Sequence, residues 1–303
     1  MGAILSPDQI ALAAEYLQKG ELVAFPTETV YGLGAPIFNP EACAKIYLAK
    51  GRPSDNPLIA HISSLDQIHQ IAREIPPEFF LLAKVFFPGP LTVVLKKHPS
   101  VPSIVSGGLD TIAVRMPSHL IAKQLIEAVG QPIVAPSANL SGKPSSTTAE
   151  HVINDFEGKI RAVIDGGPTE YGIESTVISL VAKPCLLRLG AVPKTQIEQV
   201  LGVPLEEATH TSLLSSPGTR YRHYAPRARI KLFESQHDME AYLQDHPSLR
   251  RLINPKITLA NLYAVLRQAD EEKYEEIVLY CSPEICLNDA LMDRLLKASI
   301  LTH

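Results

Sequence analysis

The sequence predicts an α/β protein organised around a large sheet, and three observations carry that prediction. Short β-rich runs alternate with helical apolar patterns through residues 1 to 204. A content of 46% apolar and 20% charged residues is that of an ordinary globular chain, and 303 residues suffice for two domains. The apolar run Leu22 to Phe25 is followed by four polar side chains, Thr27, Glu28, Thr29 and Tyr31, at its C-terminal end, which is where open α/β sheets bind ligands.

Taken in order, Ser6-Pro-Asp-Gln opens a helix with a capping-box pattern, and Ile10, Ala13, Ala14 and Leu17 share one face of Pro7 to Lys19. Leu22 to Phe25 is a strand closed by Pro26, leaving Thr27, Glu28, Thr29 and Tyr31 at its C-terminal end. Gly32 and Gly34 are expected to turn the chain tightly. Asn39 suits an N-cap and Pro40 a first helical position, so Pro40 to Lys50 is a helix that Gly51 ends. It delivers Lys50 and Arg52 to one place, where a point charge beside a forked guanidinium suits an anionic polyoxygen ligand. Ordinary turns and a C-cap answering the helix dipole account equally well for this segment alone.

Further strands are expected at Leu58 to Ile62, Leu91 to Leu95, Thr111 to Arg115, Ile133 to Ala135, Ala162 to Ile164, Ser175 to Leu180 and Leu186 to Leu189. Helices are expected at Leu65 to Arg73, Glu78 to Phe86, His119 to Val129, Ala149 to Phe156 and Lys194 to Leu201. Residues 205 to 229 lose the apolar period and read as a linker. Residues 230 to 303 restart as Ile230 to Phe233, Asp238 to Asp245, Leu252 to Asn254, Leu259 to Gln268, Ile277 to Cys281 and Asp289 to Ser299. Three β-α units predict a small Rossmann-like domain, without a GxGxxG or Walker pattern and so without an assigned nucleotide site.

The chain holds 28 basic and 32 acidic residues, a formal charge of −4. Residues 230 to 303 carry 8 basic and 12 acidic groups, which leaves residues 1 to 229 neutral. That balance argues against strong direct nucleic-acid binding. Cys43, Cys185, Cys281 and Cys286 show no CxxC pairing or zinc spacing, so they read as reduced thiols of a cytoplasmic protein. No apolar run reaches the roughly 18 residues that span a membrane.

The segment from Phe25 to His61 (FPTETVYGLGAPIFNPEACAKIYLAKGRPSDNPLIAHI) resembles the YrdC/Sua5 family of threonylcarbamoyl-AMP synthases. The resemblance continues through Pro88-Gly-Pro-Leu-Thr-Val-Val-Leu95, Gly108-Leu-Asp-Thr-Ile-Ala-Val-Arg-Met-Pro117, Pro132 to Ser145, Glu174-Ser-Thr-Val-Ile178 and Leu187-Arg-Leu-Gly190. Ser216 to Pro226 resembles the linker of the two-domain Sua5 branch. The family implies a twisted, mixed open sheet around a concave cleft, with residues 1–204 catalytic, 205–229 a linker or lid and 230–303 a reduced C-terminal domain.

The reaction so implied joins L-threonine, bicarbonate or CO2 and ATP into L-threonylcarbamoyladenylate with release of pyrophosphate. The product would pass to a transferase that modifies tRNA. The resemblance assigns Thr29, His61, Arg115, Ser175 and the main chain at Ala135 to threonine. It assigns Lys50, Arg52, Asn56, Thr111, Ser137, Ser145, Arg188 and the linker's Tyr224 to ATP, with Lys50 and Arg52 acting in catalysis. Mg2+ is expected with the triphosphate, although no acidic metal motif is visible.

Read from the residues alone, Arg115 at the end of an apolar strand is placed to grip a carboxylate, or else snorkels at a sheet edge. His61 in Leu-Ile-Ala-His-Ile is more often a core histidine. Glu28 and His61 are both candidate bases. The polar loop from Ser137 to Thr148 precedes a helix and suits phosphate through its amides and hydroxyls, or merely caps that helix. The Arg220 to Arg229 segment, with four arginines, two tyrosines and no acid, admits an RNA contact or an ordinary solvated linker, and the resemblance implies a lid that excludes water. A structured-RNA-binding module without ATP turnover is therefore the alternative.

Overall fold

The computed structural model describes residues 2–208 and 225–299. They divide into two compact units, the first of residues 2–141 and 146–208 and the second of 142–145 and 225–299. Most of the expected linker, Tyr224 included, lies outside the described residues.

The first unit is built on one twelve-stranded mixed sheet. Its strands are β1 (Ala3–Leu5), β2 (Val23–Phe25), β3 (Gly32–Pro36), β4 (Ile59–His61), β5 (Ala72–Arg73), β6 (Leu91–Lys97), β7 (Thr111–Arg115), β8 (Ile133–Val134), β9 (Ala162–Ile164), β10 (Thr176–Ser179), β11 (Cys185–Arg188) and β12 (Glu206–Glu207). They run in the order β1-β9-β2-β3-β8-β4-β7-β6-β10-β11-β12, with β5 paired to β6. Neighbours are parallel at β4–β7 and β6–β10 but antiparallel at β4–β8 and β6–β7, which makes the sheet mixed at the centre as well as the edges.

Alternation along the strands divides the core. Val23 and Phe25 pack with Leu17, Ile121 and Leu125 from helices Ile10–Gln18 and Leu120–Val129. Ala24 instead joins Leu33, Ile46 and Tyr47, the last two from helix Pro40–Lys50. A third, smaller cluster holds Ile59, Val94, Ala113 and Val177. Residues in step with these point to the same face, and they are His61, Thr92 and Arg115 on their strands and Ser175 immediately before β10.

The segment from Gly32 to Pro36 corrects the expected tight turn, because both glycines lie in β3, antiparallel to β2. Their small size serves packing. A Cβ on Gly32 would lie 3.1 Å from the Ala135 Cβ, and one on Gly34 would lie 3.1 Å from the Val23 carbonyl oxygen. The helix expected at Leu65 to Arg73 is shorter, since Ile68–Ile71 gives way to β5. Arg73 leaves the helix because its Nε donates to the Lys97 carbonyl at 3.0 Å and its guanidinium pairs with Asp110 at 2.6 Å. Elsewhere the caps agree with expectation. Asn39 accepts from the Ala42 amide at 3.0 Å, and Gly51 ends the helix at φ 61°.

The second unit has three parallel strands, Arg229–Phe233, Arg251–Ile253 and Glu276–Tyr280, the last lying between the other two. Helices Gln236–Asp245, Leu262–Glu271 and Asp289–Ser299 accompany them. At its centre Glu276, 1% exposed, accepts from Arg251 at 2.8 Å and from Tyr242 at 3.0 Å, so the buried carboxylate is neutralised and bonded.

Candidate active site

Arg115 ends β7 with its side chain buried. Its Nη1 donates to Thr29 Oγ1 at 2.7 Å, its Nη2 pairs with Glu28 at 2.7 Å and its Nε donates to the Gly89 carbonyl at 3.3 Å. Thr29 is itself fixed, because its hydroxyl shares a 2.9 Å bond with Thr27, whose own hydroxyl donates to the Val30 carbonyl at 2.6 Å. The threonine-rich turn after Pro26 thus folds onto itself and presents one hydroxyl and one carboxylate to a guanidinium. Glu28 is held below the usual carboxylate range, because the Arg115 charge and hydrogen bonds from Arg115 and the Ser118 backbone outweigh its burial.

His61 lies beside Arg115 in the parallel β4–β7 register, edge-on to Phe25 at 6.5 Å between ring centroids. Burial, reinforced by the Arg115 charge, lowers its pKa to about 3, so the ring is neutral. Nδ1 lies 3.2 Å from the Ile59 carbonyl, which only accepts, so Nδ1 carries the proton and Nε2 is left as an acceptor. The Ala135 amide donates to the same carbonyl at 2.9 Å, which brings Ala135 beside His61. Ser175 stands on the next strand pair, where its hydroxyl meets Thr92 at 2.7 Å.

The cationic residues form a second group. Lys50, 3% exposed, donates to the main-chain carbonyls of Ser137 and Asn139, and its own carbonyl accepts from the Ser141 amide. One helix end therefore fixes the whole 137–141 loop. Gly51 in the left-handed region turns the chain so that Arg52 reaches Asn56 Oδ1 at 2.6 Å and the Pro57 carbonyl at 2.9 Å. Thr111 opens β7 on the face that carries Arg115, about 13 Å away along the strand. Arg188 bonds Ser175, donating to its carbonyl at 2.9 Å from Nη2 and 3.2 Å from Nε. Ser145 groups with the second unit, where its carbonyl and that of Pro144 accept from Arg267 at 3.4 and 2.6 Å. Tyr31, the fourth polar residue after Pro26, is structural: its hydroxyl donates to the Gly167 carbonyl at 2.8 Å, and burial pushes its pKa up to about 12.

Two relationships were not legible in the residues alone. Glu28 stood out as a base, yet it is the ion-pair partner of Arg115. Within Pro-Gly-Pro-Leu-Thr only strand alternation with Val94 signals the face of Thr92.

Residues 15–190 match the Sua5/YciO/YrdC family model, described as telomere recombination. Residues 192–299 match the threonylcarbamoyl-AMP synthase C-terminal domain. The chain belongs to the Sua5/YrdC family, in its two-domain form. A threonylcarbamoyl-AMP synthase of Bacillus subtilis is 44% identical over 96% of this chain and 93% of its own length. One from Pyrococcus abyssi is 53% identical over 76% of this chain and 69% of its own. The crystal structure of Pyrococcus abyssi Sua5 complexed with L-threonine superposes with a TM-score of 0.90 and 41% identity over 99% of this chain and 97% of that one. The Sua5 family thus accounts for the mixed sheet and for the three-stranded second unit together.

Proposed function

We propose that this chain is an L-threonylcarbamoyladenylate synthase of the nucleotidyltransferase class, acting in the cytoplasm to supply the t6A37 modification of tRNA. The observation that carries this reading is Arg115, a buried guanidinium flanked by Glu28, Thr29 and neutral His61. A zwitterionic amino acid is its complement, since a carboxylate answers Arg115 and an ammonium answers Glu28. Thr29, His61, Arg115, Ser175 and the main chain at Ala135 form the threonine site. Lys50, Arg52, Asn56, Thr111, Ser137, Ser145, Arg188 and Tyr224 hold ATP.

The chemistry is then positioning and charge stabilisation. Threonine's deprotonated amine adds to the carbon of CO2, or of bicarbonate with loss of water, and gives an N-carboxylate. One of its oxygens attacks the α-phosphorus as the bond to the β-phosphate oxygen breaks, and pyrophosphate leaves. Glu28, paired with Arg115, and His61 are both in the acceptor form at neutral pH, and either can take the amine proton. Mg2+ accompanies the triphosphate, held largely by phosphate and water; among the described residues no group of three His, Cys, Asp or Glu side chains is placed to hold a metal ion. No helix among them is long and apolar enough to cross a membrane.

Residues 1–204 serve as the catalytic domain, 205–229 as a lid that keeps water from the mixed anhydride, and 230–303 as an accessory domain. A transferase acting on tRNA then consumes the product. The test is pyrophosphate release from ATP, which must require both threonine and bicarbonate. Equal release with either omitted sinks the reading, and salt-dependent tRNA affinity without turnover supports the RNA-binding alternative.

A further inference from the structure

Ser175 is held from two sides by side chains that lie under the sheet surface. Thr92 is fully buried, Ser175 is 1% exposed and Arg188 is 6% exposed. Thr92 Oγ1 lies 2.7 Å from Ser175 Oγ, and Arg188 Nη2 donates to the same Oγ at 3.2 Å and to the Ser175 carbonyl at 2.9 Å. Behind them the chain turns back at Gly190, where a Cβ would meet the Ser175 carbonyl carbon at 2.4 Å, so the backbone of residues 174–176 is clamped as well.

The direction of the Thr92–Ser175 bond follows from counting protons. Each hydroxyl has one hydrogen to give and two positions to accept. Among the described residues Thr92 Oγ1 has Ser175 Oγ as its hydrogen-bond partner. If Ser175 donated, the Thr92 proton would be buried without an acceptor, at a cost of about 1–3 kcal/mol. Thr92 therefore donates to Ser175. The arginine fills the second accepting position, and the Ser175 proton is the one group left to turn outward.

We propose that Thr92 and Arg188 are positioning residues that make Ser175 an obligate hydrogen-bond donor, aimed at a carboxylate oxygen of threonine or of its N-carboxylate. This rests on the threonine-site reading of Ser175. A serine hydroxyl in water both gives and accepts; here it can only give, which favours an anion over an ammonium or a neutral hydroxyl. The donor also costs no reorganisation when the substrate arrives.

The experiment is a set of substitutions in the full chain, assayed by threonine-dependent pyrophosphate release. Thr92→Val, which keeps the shape and removes the hydroxyl, is expected to raise the threonine KM roughly tenfold, the worth of one hydrogen bond. The KM for ATP should stay unchanged. Thr92→Ser should restore the wild-type value, and Thr92→Val in a Ser175→Ala background should add nothing, because both act through one proton. If Thr92→Val does not fold, Thr92→Ala removes the same hydroxyl and carries the same expectation. An unchanged threonine KM, an equal rise for ATP, or full additivity in the double variant overturns the inference while leaving the synthase reading intact. Loss of threonine dependence in the wild-type chain would overturn that reading instead.

Discussion

Glu28 and Arg115 form an ion pair of 2.7 Å whose side chains are 2% and 5% exposed. Such a pair contributes little net stability when whole, but losing one partner strands the other charge, at about 3–5 kcal/mol. Glu28→Gln keeps the shape and removes the charge. It is expected to lower the melting temperature and to raise the threonine KM about tenfold or more, since the ammonium loses a charge-assisted bond of about 1.5–3 kcal/mol. A threonine titration decides it: an unchanged KM removes Glu28 from the amino-acid site.

The neutral state of His61 sets a pH dependence. Its folded pKa of about 3 lies below the ordinary 6.5, so between those values the unfolded chain takes up a proton that the folded chain refuses. Stability from this group is complete above pH 6.5 and declines as pH falls toward 3, with a slope of at most about 1.4 kcal/mol per unit. Glu28 acts in the same direction at lower pH, because its depressed pKa makes the folded chain the weaker proton binder below its ordinary 4.5. Urea midpoints measured from pH 7.5 to 5 should fall more steeply for wild type than for His61→Gln. Parallel slopes would mean that His61 is protonated in the folded chain.

Lys50 and Arg52 are neighbours across Gly51 with different duties. Lys50 is buried and ties two carbonyls of the 137–141 loop, whereas Arg52 is half-buried and bonds Asn56. Lys50→Met should therefore lower both the melting temperature and the activity. Arg52→Ala should leave melting within about 1 kcal/mol of wild type while lowering kcat, because charge grows on the phosphates in the transition state. A normal kcat for Arg52→Ala, or a stable but inactive Lys50→Met, would reverse the assignment.

The alternation of strands and helices was legible because it is written in local periodicity: Pro40–Lys50, Ala149–Phe156 and Lys194–Leu201 have the bounds that their caps and apolar spacing predict. What escaped depends on partners far along the chain. Ala3–Leu5 is three residues long and becomes a strand only because Ala162–Ile164 lies beside it. Gly32 and Gly34 looked like a turn because glycine marks both turns and close approach, and only the Phe25 ring and Ala135 decide which. The same holds in the site. Arg115 was visible as a cation ending an apolar strand, but its pairing with Glu28, 87 positions earlier, and the bond between Thr92 and Ser175 arise from sheet order.

Gly190 offers a test of how tightly that order constrains Ser175. A Cβ placed there would lie 2.3 Å from the Thr176 nitrogen, 2.4 Å from the Ser175 carbonyl carbon and 2.5 Å from the Glu174 carbonyl oxygen. These are backbone atoms and cannot swing aside, so Gly190→Ala must displace residues 174–176, against the bond from the Ala191 amide to the Glu174 carbonyl at 3.2 Å. Overpacking of this kind costs about 1–3 kcal/mol. Gly202→Ala is the comparison, since Gly202 needs its φ of 70° to cap a helix but has nothing within 4 Å of its Cβ position. Both variants should melt earlier, but only Gly190→Ala should also raise the threonine KM, because only there does the strain fall on the proposed threonine contact. If the two variants differ from wild type in melting alone, the 174–176 backbone is free to move without consequence for threonine, and Ser175 is not a positioned donor.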